Sequence, residues 1–308
     1  VRIFQWSATP LEPSTIELKN TGSALIMANP TSGGYSAKTL KKVKARLEEL
    51  GWTAEIRLTS SAGEIGEVCT DPSLDVRTLV IAGGDGSINE AIIGLQDHPH
   101  PPQLAVVPIG TANVLALELS LPRKANAIAE TIARQKTKRL HFGLANGHPF
   151  LLMASAGFDA EVVHSVPLAL KRRLGKLAYV FTAFKVGLTR KDNPLQITLD
   201  GEPFAGKFAV ASNARHYGGP FVICPSEVTD PGLHMLILEK DDLWSSINYG
   251  IALMLGRIHK ARGATVKPFT AATISAQSAV ATQVDGDPFG ATPVEIRQAD
   301  KTIPILVP

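Results

Sequence analysis

Three loops in the first 113 residues constrain this chain more than anything else in it. Residues 29–34 (NPTSGG), 83–90 (GGDGSINE) and 108–113 (PIGTAN) are dense in glycine and small polar residues. Each follows a short apolar run, at 24–28, 78–82 and 104–107, that reads as a strand buried on both faces. Between them, residues 36–50 place Leu40, Val43, Leu47 and Leu50 at helical spacing with Lys41, Lys42, Lys44 and Arg46 interleaved, and Gly51 closes the helix. A further strand at 53–58, a weaker helix at 62–69, a helix at 87–95 and another through Leu119 complete the alternation. The expectation is an α/β domain with a doubly wound, mostly parallel sheet. In such a sheet the loops at the carboxyl ends of adjacent strands converge on one crevice, which is where ligands bind.

Beyond about residue 138 the texture changes to strand-like segments punctuated by Gly, Pro and Asn, which predicts a second, β-rich domain. Its clearest hairpin is 195–199, an Asp200-Gly201 turn, and 204–212, since Asp-Gly supplies the positive φ angles of a tight turn. The expected division is an α/β domain at 1–140, a β-rich domain at 141–293, and strands at 294–308 returning to the first domain. A chain of 308 residues with 44% hydrophobic content can bury at least one sizeable core, and its length makes two domains the default expectation. Residues 243–256 are apolar but fall short of the ~20 residues that cross a bilayer, so they read as a buried helix. A net charge of +3 gives no argument for nucleic acid. Cys69 and Cys224 fit no metal or redox spacing and read as buried thiols, as suits a reducing cytosol; residues 1–20 lack the apolar core of an export signal.

Glycines let backbone N–H groups approach an anion closely, and helices starting after the three loops would aim their positive ends at the same point. Phosphate is the natural ligand. Ser32, Ser87 and Thr111 add hydroxyls, while Asp85 and Glu90 are candidates to hold Mg2+ directly or through water. Two other phosphate grips are excluded. Residues 201–207 mimic a Walker loop, but Phe208 replaces its hydroxyl residue and the segment lies between strands; a dinucleotide fingerprint fails because Asn89 stands where a third glycine is needed after Gly84 and Gly86.

The GGDGS run with Asn89 and Glu90, preceded by NPTSGG and followed by PIGTAN, resembles the catalytic domain of bacterial diacylglycerol kinases, shared with sphingosine and ceramide kinases and more distantly NAD kinases. Gly157-Phe158-Asp159, residues 175–179 (GKLAY), Asn213 with Gly218 and Gly219, Pro225, Asp230 with Gly232 and Leu233, and Asp285-Gly286-Asp287 continue the likeness to about residue 287. The resemblance implies ATP bound between an α/β domain and a β-sandwich, with lipid entering the same cleft. It implies nucleotide contacts at Asn29, Pro30, Ser32, Gly33, Gly83, Gly84, Asp85, Gly86, Ser87, Asn89, Glu90, Gly110, Thr111, Asn113 and Asp287. Asp285 matches the acidic residue that deprotonates the lipid hydroxyl, with Asp85 as its catalytic companion, and Asp230 matches a structural magnesium position. Three departures stand out: Ser87 for the commoner threonine, Val114 for the usual aspartate, and Asp287 for the usual glutamate.

Phosphoryl transfer needs alignment, charge neutralisation and a base near the attacking hydroxyl, which these residues would supply. The expected activity is transfer of the ATP γ-phosphate to diacylglycerol. A sphingoid base, phosphatidylglycerol or NAD as acceptor stays open, as does a non-catalytic nucleotide- or lipid-binding regulator. A basic amphipathic helix at 168–188, continuing to Lys191, either rests on an anionic membrane or covers its own domain. The expected setting is cytoplasmic with peripheral contact at the inner membrane face, and a homodimer is left open.

Overall fold

A computed structural model of the chain describes residues 22–157, 160 and 193–308. The basic segment at 168–191, the GKLAY motif and the Phe158-Asp159 pair lie outside the described residues. The first part of the chain runs β1 (Ser23–Ala28), α1 (Ala37–Glu49), β2 (Thr53–Leu58), α2 (Glu64–Thr70), β3 (Thr78–Gly83), α3 (Asp85–Leu95), β4 (Gln103–Pro108), α4 (Val114–Glu118), α5 (Ala125–Arg134) and β5 (Thr137–Leu140). The second continues with β6 (Gly143–Ala145), β7 (His148–Phe150), β8 (Met153–Gly157), β9 (Leu195–Leu199), β10 (Glu202–Gly206), β11 (Phe208–Ser212), β12 (His216–Tyr217), β13 (Phe221–Val222) and β14 (Leu233–Leu238). It ends with α6 (Leu243–Met254), β15 (Ala264–Phe269), β16 (Ala271–Ala276), β17 (Ala281–Val284), β18 (Asp287–Ala291), β19 (Val294–Gln298) and β20 (Ile303–Leu306).

The first sheet has strand order β2-β1-β3-β4-β20-β5, parallel from β2 to β20 and antiparallel only at β5. Alternation along β3 explains its two covered faces: Val80 and Ala82 pack with Leu40, Val43 and Leu47 of α1 and Ile132 of α5, while Leu79 and Ile81 pack with Ile65 of α2 and Ile88 and Ile92 of α3. Ser36 caps α1 by accepting from Thr39 N, and α1 ends where Gly51 takes φ 84°. β1 sits between β2 and β3, so the strand order reverses between β1 and β3, the position at the carboxyl edge of such a sheet where ligands bind.

The second half folds as two antiparallel six-stranded sheets, β10-β9-β16-β19-β6-β7 and β15-β14-β11-β8-β17-β18, packed over a common core that includes Ile197, Ala209, Ala211, Met235, Ile274 and Ile296. The Asp200-Gly201 turn has φ of 49° and 90°, as its hairpin requires. The expected single strand at 204–212 is instead two strands in different sheets, because the chain crosses between layers at Gly206 and Lys207. A Cβ on Gly206 would stand 2.7 Å from Ile237 Cγ2 and 3.0 Å from Leu238 O, so only glycine turns that corner. The run at 294–308 also divides: β19 pairs with β16 and β6 in the sandwich, and β20 alone enters the first sheet.

A third correction concerns 243–256, expected as a buried helix. α6 packs on the outer face of the second sandwich sheet through Tyr249 and Leu253, but Trp244 and Met254 are 79% and 76% exposed. No second layer lies over it among the described residues. Cys69 and Cys224 are buried and unpaired, and burial pushes the Cys69 thiol up to about 12.

Candidate active site

The three glycine loops meet. Gly34 N donates to Ile109 O at 2.8 Å, Ile109 N to Gly83 O at 3.2 Å and Asn29 N to Ala82 O at 3.1 Å, which ties all three loops to the same edge of the sheet. Contact is closest between Gly84 and Gly110, where a Cβ on Gly110 would lie 2.3 Å from Gly84 Cα. Gly33 faces Thr111, whose Oγ1 would be 3.5 Å from a Cβ there. In front of Gly86 there is open space, and Gly86, Gly33, Pro30 and Thr111 are exposed while Ser32 is half-buried. The result is a backbone-lined ledge with α1, α3 and α4 starting beside it.

Local chemistry builds each loop. Asn29 Oδ1 accepts from Thr31 N and Thr31 Oγ1, turning the chain after β1. Asn113, at φ 49°, closes its loop on itself: its Oδ1 accepts from Gly110 N and its Nδ2 donates to Gly110 O. α3 starts two residues before its expected start at Ser87, with Gly84 as cap residue and Asp85 in its first turn. Ser87 is buried beneath Gly83, where an added Cβ would meet its Oγ at 2.5 Å, so its hydroxyl faces the strand end. Asn89 Oδ1 is buried with no hydrogen-bond partner among the described residues, an orphaned acceptor on the helix that opens the site.

Asp85 is held by the next helix. Its Oδ2 accepts from Val114 N and its Oδ1 from Leu115 N, both at 3.0 Å, so one carboxylate joins the GGDG loop to the amino end of α4. Val114, at the position where the resemblance leads to an aspartate, is buried in the core. Glu90 hydrogen-bonds to the backbone of Gly63 and Ile65 at the start of α2; burial raises its pKa, those hydrogen bonds oppose the rise, and the charge of Asp287 adds to it. Glu90 and Asp287 thus face each other across the domain junction.

Asp285 comes from the opposite wall. It sits in the hairpin turn between β17 and β18, with φ 49° followed by Gly286 at φ 88°. Its carboxylate accepts from Leu151 N at 2.6 Å, Leu152 N at 2.8 Å and Met153 N at 2.9 Å. The residue keeps part of its surface open, yet the protein packed around the carboxyl pushes its pKa up to about 6. Burial is the largest cause, the three backbone donors oppose it, and the negative charge of Asp85 adds to it. The two aspartates therefore sense each other across the cleft. Gln283, which sequence reasoning passed over, holds this turn by accepting from Gly286 N and donating to Ser155 Oγ. Asn213, fully buried, secures the facing loop by donating to His141 O and Leu151 O.

Asp230 belongs elsewhere. Its N–H donates to Glu227 O in the turn before β14, and its charge reaches His141. Among the described residues no three His, Cys, Asp or Glu side chains cluster as a metal centre, so a cation at Asp230 would draw on carbonyls and water. A triphosphate fits the three-loop ledge at its open side, where nothing stands within 4 Å of a Cβ placed on Gly86 and the exposed backbone of Gly33 and Gly86 is free of side chains. Magnesium fits as well, because it needs only one or two carboxylates when phosphates and water complete its shell: Asp85 stands at the ledge, and Glu90 lies within reach of the charge of Asp287.

A parallel-sheet domain whose glycine loops open toward a β-sandwich, with carboxylates facing from both walls, is the build of a two-domain phosphotransferase. Comparison with known proteins narrows the class. Residues 23–145 match the diacylglycerol kinase catalytic domain, and residues 153–307 match the YegS C-terminal NAD kinase beta sandwich-like domain. The diacylglycerol kinase of Bacillus subtilis (strain 168) is 28% identical over 291 residues, covering 92% of this chain and 96% of that one. That of Staphylococcus aureus (strain bovine RF122 / ET3-1) is 26% identical over 292 residues, 92% of each. Two solved structures from Bacillus anthracis str. Sterne superpose with TM-scores of 0.77 at 23% identity and 0.70 at 17%, covering 93% of this chain and 95% and 97% of theirs; the second is that of a diacylglycerol kinase. The chain belongs to the diacylglycerol kinase family and is a kinase of that kind.

Proposed function

We propose that this chain transfers the γ-phosphate of ATP to the hydroxyl of diacylglycerol, giving phosphatidic acid. The observation that carries the reading is the meeting of Gly33, Gly84 and Gly110 on one ledge, faced by Asp285 from the sandwich. The triphosphate lies along the ledge, with backbone N–H groups of the loops and the amino ends of α1 and α3 offsetting its charge. Asp85, Asp287 and Glu90 are the oxygen donors available to magnesium, which when bound neutralises charge on the transferring phosphate. The α/β half, residues 1–140 completed by β20, is the nucleotide side, and the sandwich, residues 141–298, is the lipid side.

Asp285 takes the proton from the attacking hydroxyl. Its raised pKa supports the role, since a base whose pKa lies near the operating pH combines a useful ionised fraction with real basicity. The lipid oxygen attacks the γ-phosphorus in line, the bond from that phosphorus to the bridging oxygen breaks, and ADP leaves. The deciding assay is turnover with magnesium-ATP and a panel of diacylglycerol, sphingosine, phosphatidylglycerol and NAD, lipids in mixed micelles. Phosphatidic acid as the dominant product supports the proposal. A faster rate on another acceptor, or nucleotide binding without turnover on any, overturns it.

A further inference from the structure

Among the described residues, the exposed large apolar side chains concentrate on one element. Trp244, Ile247, Ile251, Met254 and Leu255 are 79%, 45%, 54%, 76% and 65% exposed, on α6 and the residue that ends it. Their spacing of three and four residues puts them on one stripe, opposite Tyr249 and Leu253, which pack inward. A solvated helix would carry its charges on that outer stripe; α6 carries none on any face from Leu243 to Met254. A tryptophan so exposed is costly in water and stable where one side is apolar and the other wet.

Charge identifies the occupant. No Asp or Glu occurs between Asp242 and Asp285, whereas Arg257, His259, Lys260 and Arg262 follow α6 directly and are all exposed. Among the described residues, Arg257, Lys260 and Arg262 have no carboxylate partner. Of the nearby acids, Glu239 lies beside the turn, its Oε2 3.5 Å from where a Cβ on Gly263 would stand, and Asp241 and Asp242 lie at the far end of the helix, where Asp242 caps it by accepting from Ser245. An apolar stripe ending in unpaired cations matches the interface of a bilayer with anionic headgroups.

We propose that α6 and the basic turn 257–262 dock the enzyme on an anionic lipid surface, with the apolar stripe lying in the headgroup region. This rests on the lipid-kinase reading above, since a membrane-resident acceptor requires such a surface. It differs from the basic segment at 168–191, which supplies the competing arm of the test. β12 and β13 connect α6 to the candidate active site: β13 packs on α6, and His216 of β12 bonds through both its N–H and Nδ1 to Glu118 of α4, the helix capped by Asp85.

The test is vesicle sedimentation with the full chain, using phosphatidylcholine alone and phosphatidylcholine with about 30 mol% phosphatidylglycerol. The expected result is binding to the mixed vesicles that weakens in high salt, roughly tenfold or more weaker binding for W244S/I251S/M254S, and weaker binding with lost salt dependence for R257E/K260E/R262E. In a W6F background, where Trp52 is buried, adding vesicles shifts Trp244 fluorescence to the blue. Unchanged thermal unfolding and unchanged rates on a short-chain, water-dispersed diacylglycerol would establish that the variants are folded. Wild-type binding by all α6 variants, with loss only in K171E/R172E/R173E, overturns the proposal. So does sedimentation equilibrium in which the parent is a dimer that W244S/I251S/M254S dissociates, with no vesicle binding by either. Vesicle binding through α6 in a protein that phosphorylates no lipid would leave this inference standing and sink the proposed function instead.

Discussion

Asp285 does two jobs that mutagenesis must separate. Its carboxylate satisfies three backbone donors at residues 151–153, so Asp285→Ala strands them at roughly 1–3 kcal/mol apiece where water cannot replace the partner. Lost activity in that variant therefore reports folding as well as chemistry. The pH profile is the cleaner measurement. With a folded pKa of about 6, kcat/KM should rise about tenfold per unit below that value and level off above it. A profile flat across roughly pH 5 to 8 would remove Asp285 as the base. Stability should respond with the opposite sign. Because the folded carboxyl holds its proton more tightly than a free one at 3.8, its contribution is fully present below 3.8 and is lost as pH rises through about 6.

At the scale of elements, the site depends on how closely two loops approach. A Cβ at Gly110 would sit 2.3 Å from Gly84 Cα and 2.8 Å from Asn113 Oδ1, contacts that only backbone movement can relieve. Gly110→Ala should therefore part the loops after β3 and β4 and lower kcat/KM by about 10²-fold, in line with the cost of an ångström-scale misplacement. Near-normal kinetics in that variant would mean that the ledge does not grip the triphosphate. Asp85 extends the same logic, since one side chain both completes α4 and stands at the ledge.

For the whole molecule, the C-terminal strand is the clasp. β20 lies between β4 and β5, and Ile303, Ile305 and Leu306 are each at most 1% exposed. Beside it, Val307 N donates to Lys136 O and Lys136 Nζ to Pro308 O. A chain lacking residues 301–308 would expose a row of strand donors and acceptors in the middle of a sheet. It should be insoluble or unfolded, and a soluble truncated protein with the parent's thermal midpoint would refute that placement. The core extends from the first sheet through Leu140, Phe142 and Leu151 to Val210 and Leu236 of the sandwich, so the two halves share buried apolar contacts.

Sequence alone determined the parallel sheet, the Asp-Gly turn and the three phosphate-type loops, because local periodicity and glycine chemistry act over a few residues. Lys207 and Val294 show where that reach ends. Both sit in strand-like runs, and only packing against distant strands decides which sheet each half of the run joins. The orientation of α6 is of the same kind, since an apolar sequence does not say which of its faces a neighbour will cover. Long-range contacts also decided that Asp85, Glu90 and Asp285 are each gripped by backbone amides from elsewhere in the chain. A carboxylate's environment is a property of the atoms folded around it, and those come from residues its own sequence neighbourhood cannot name.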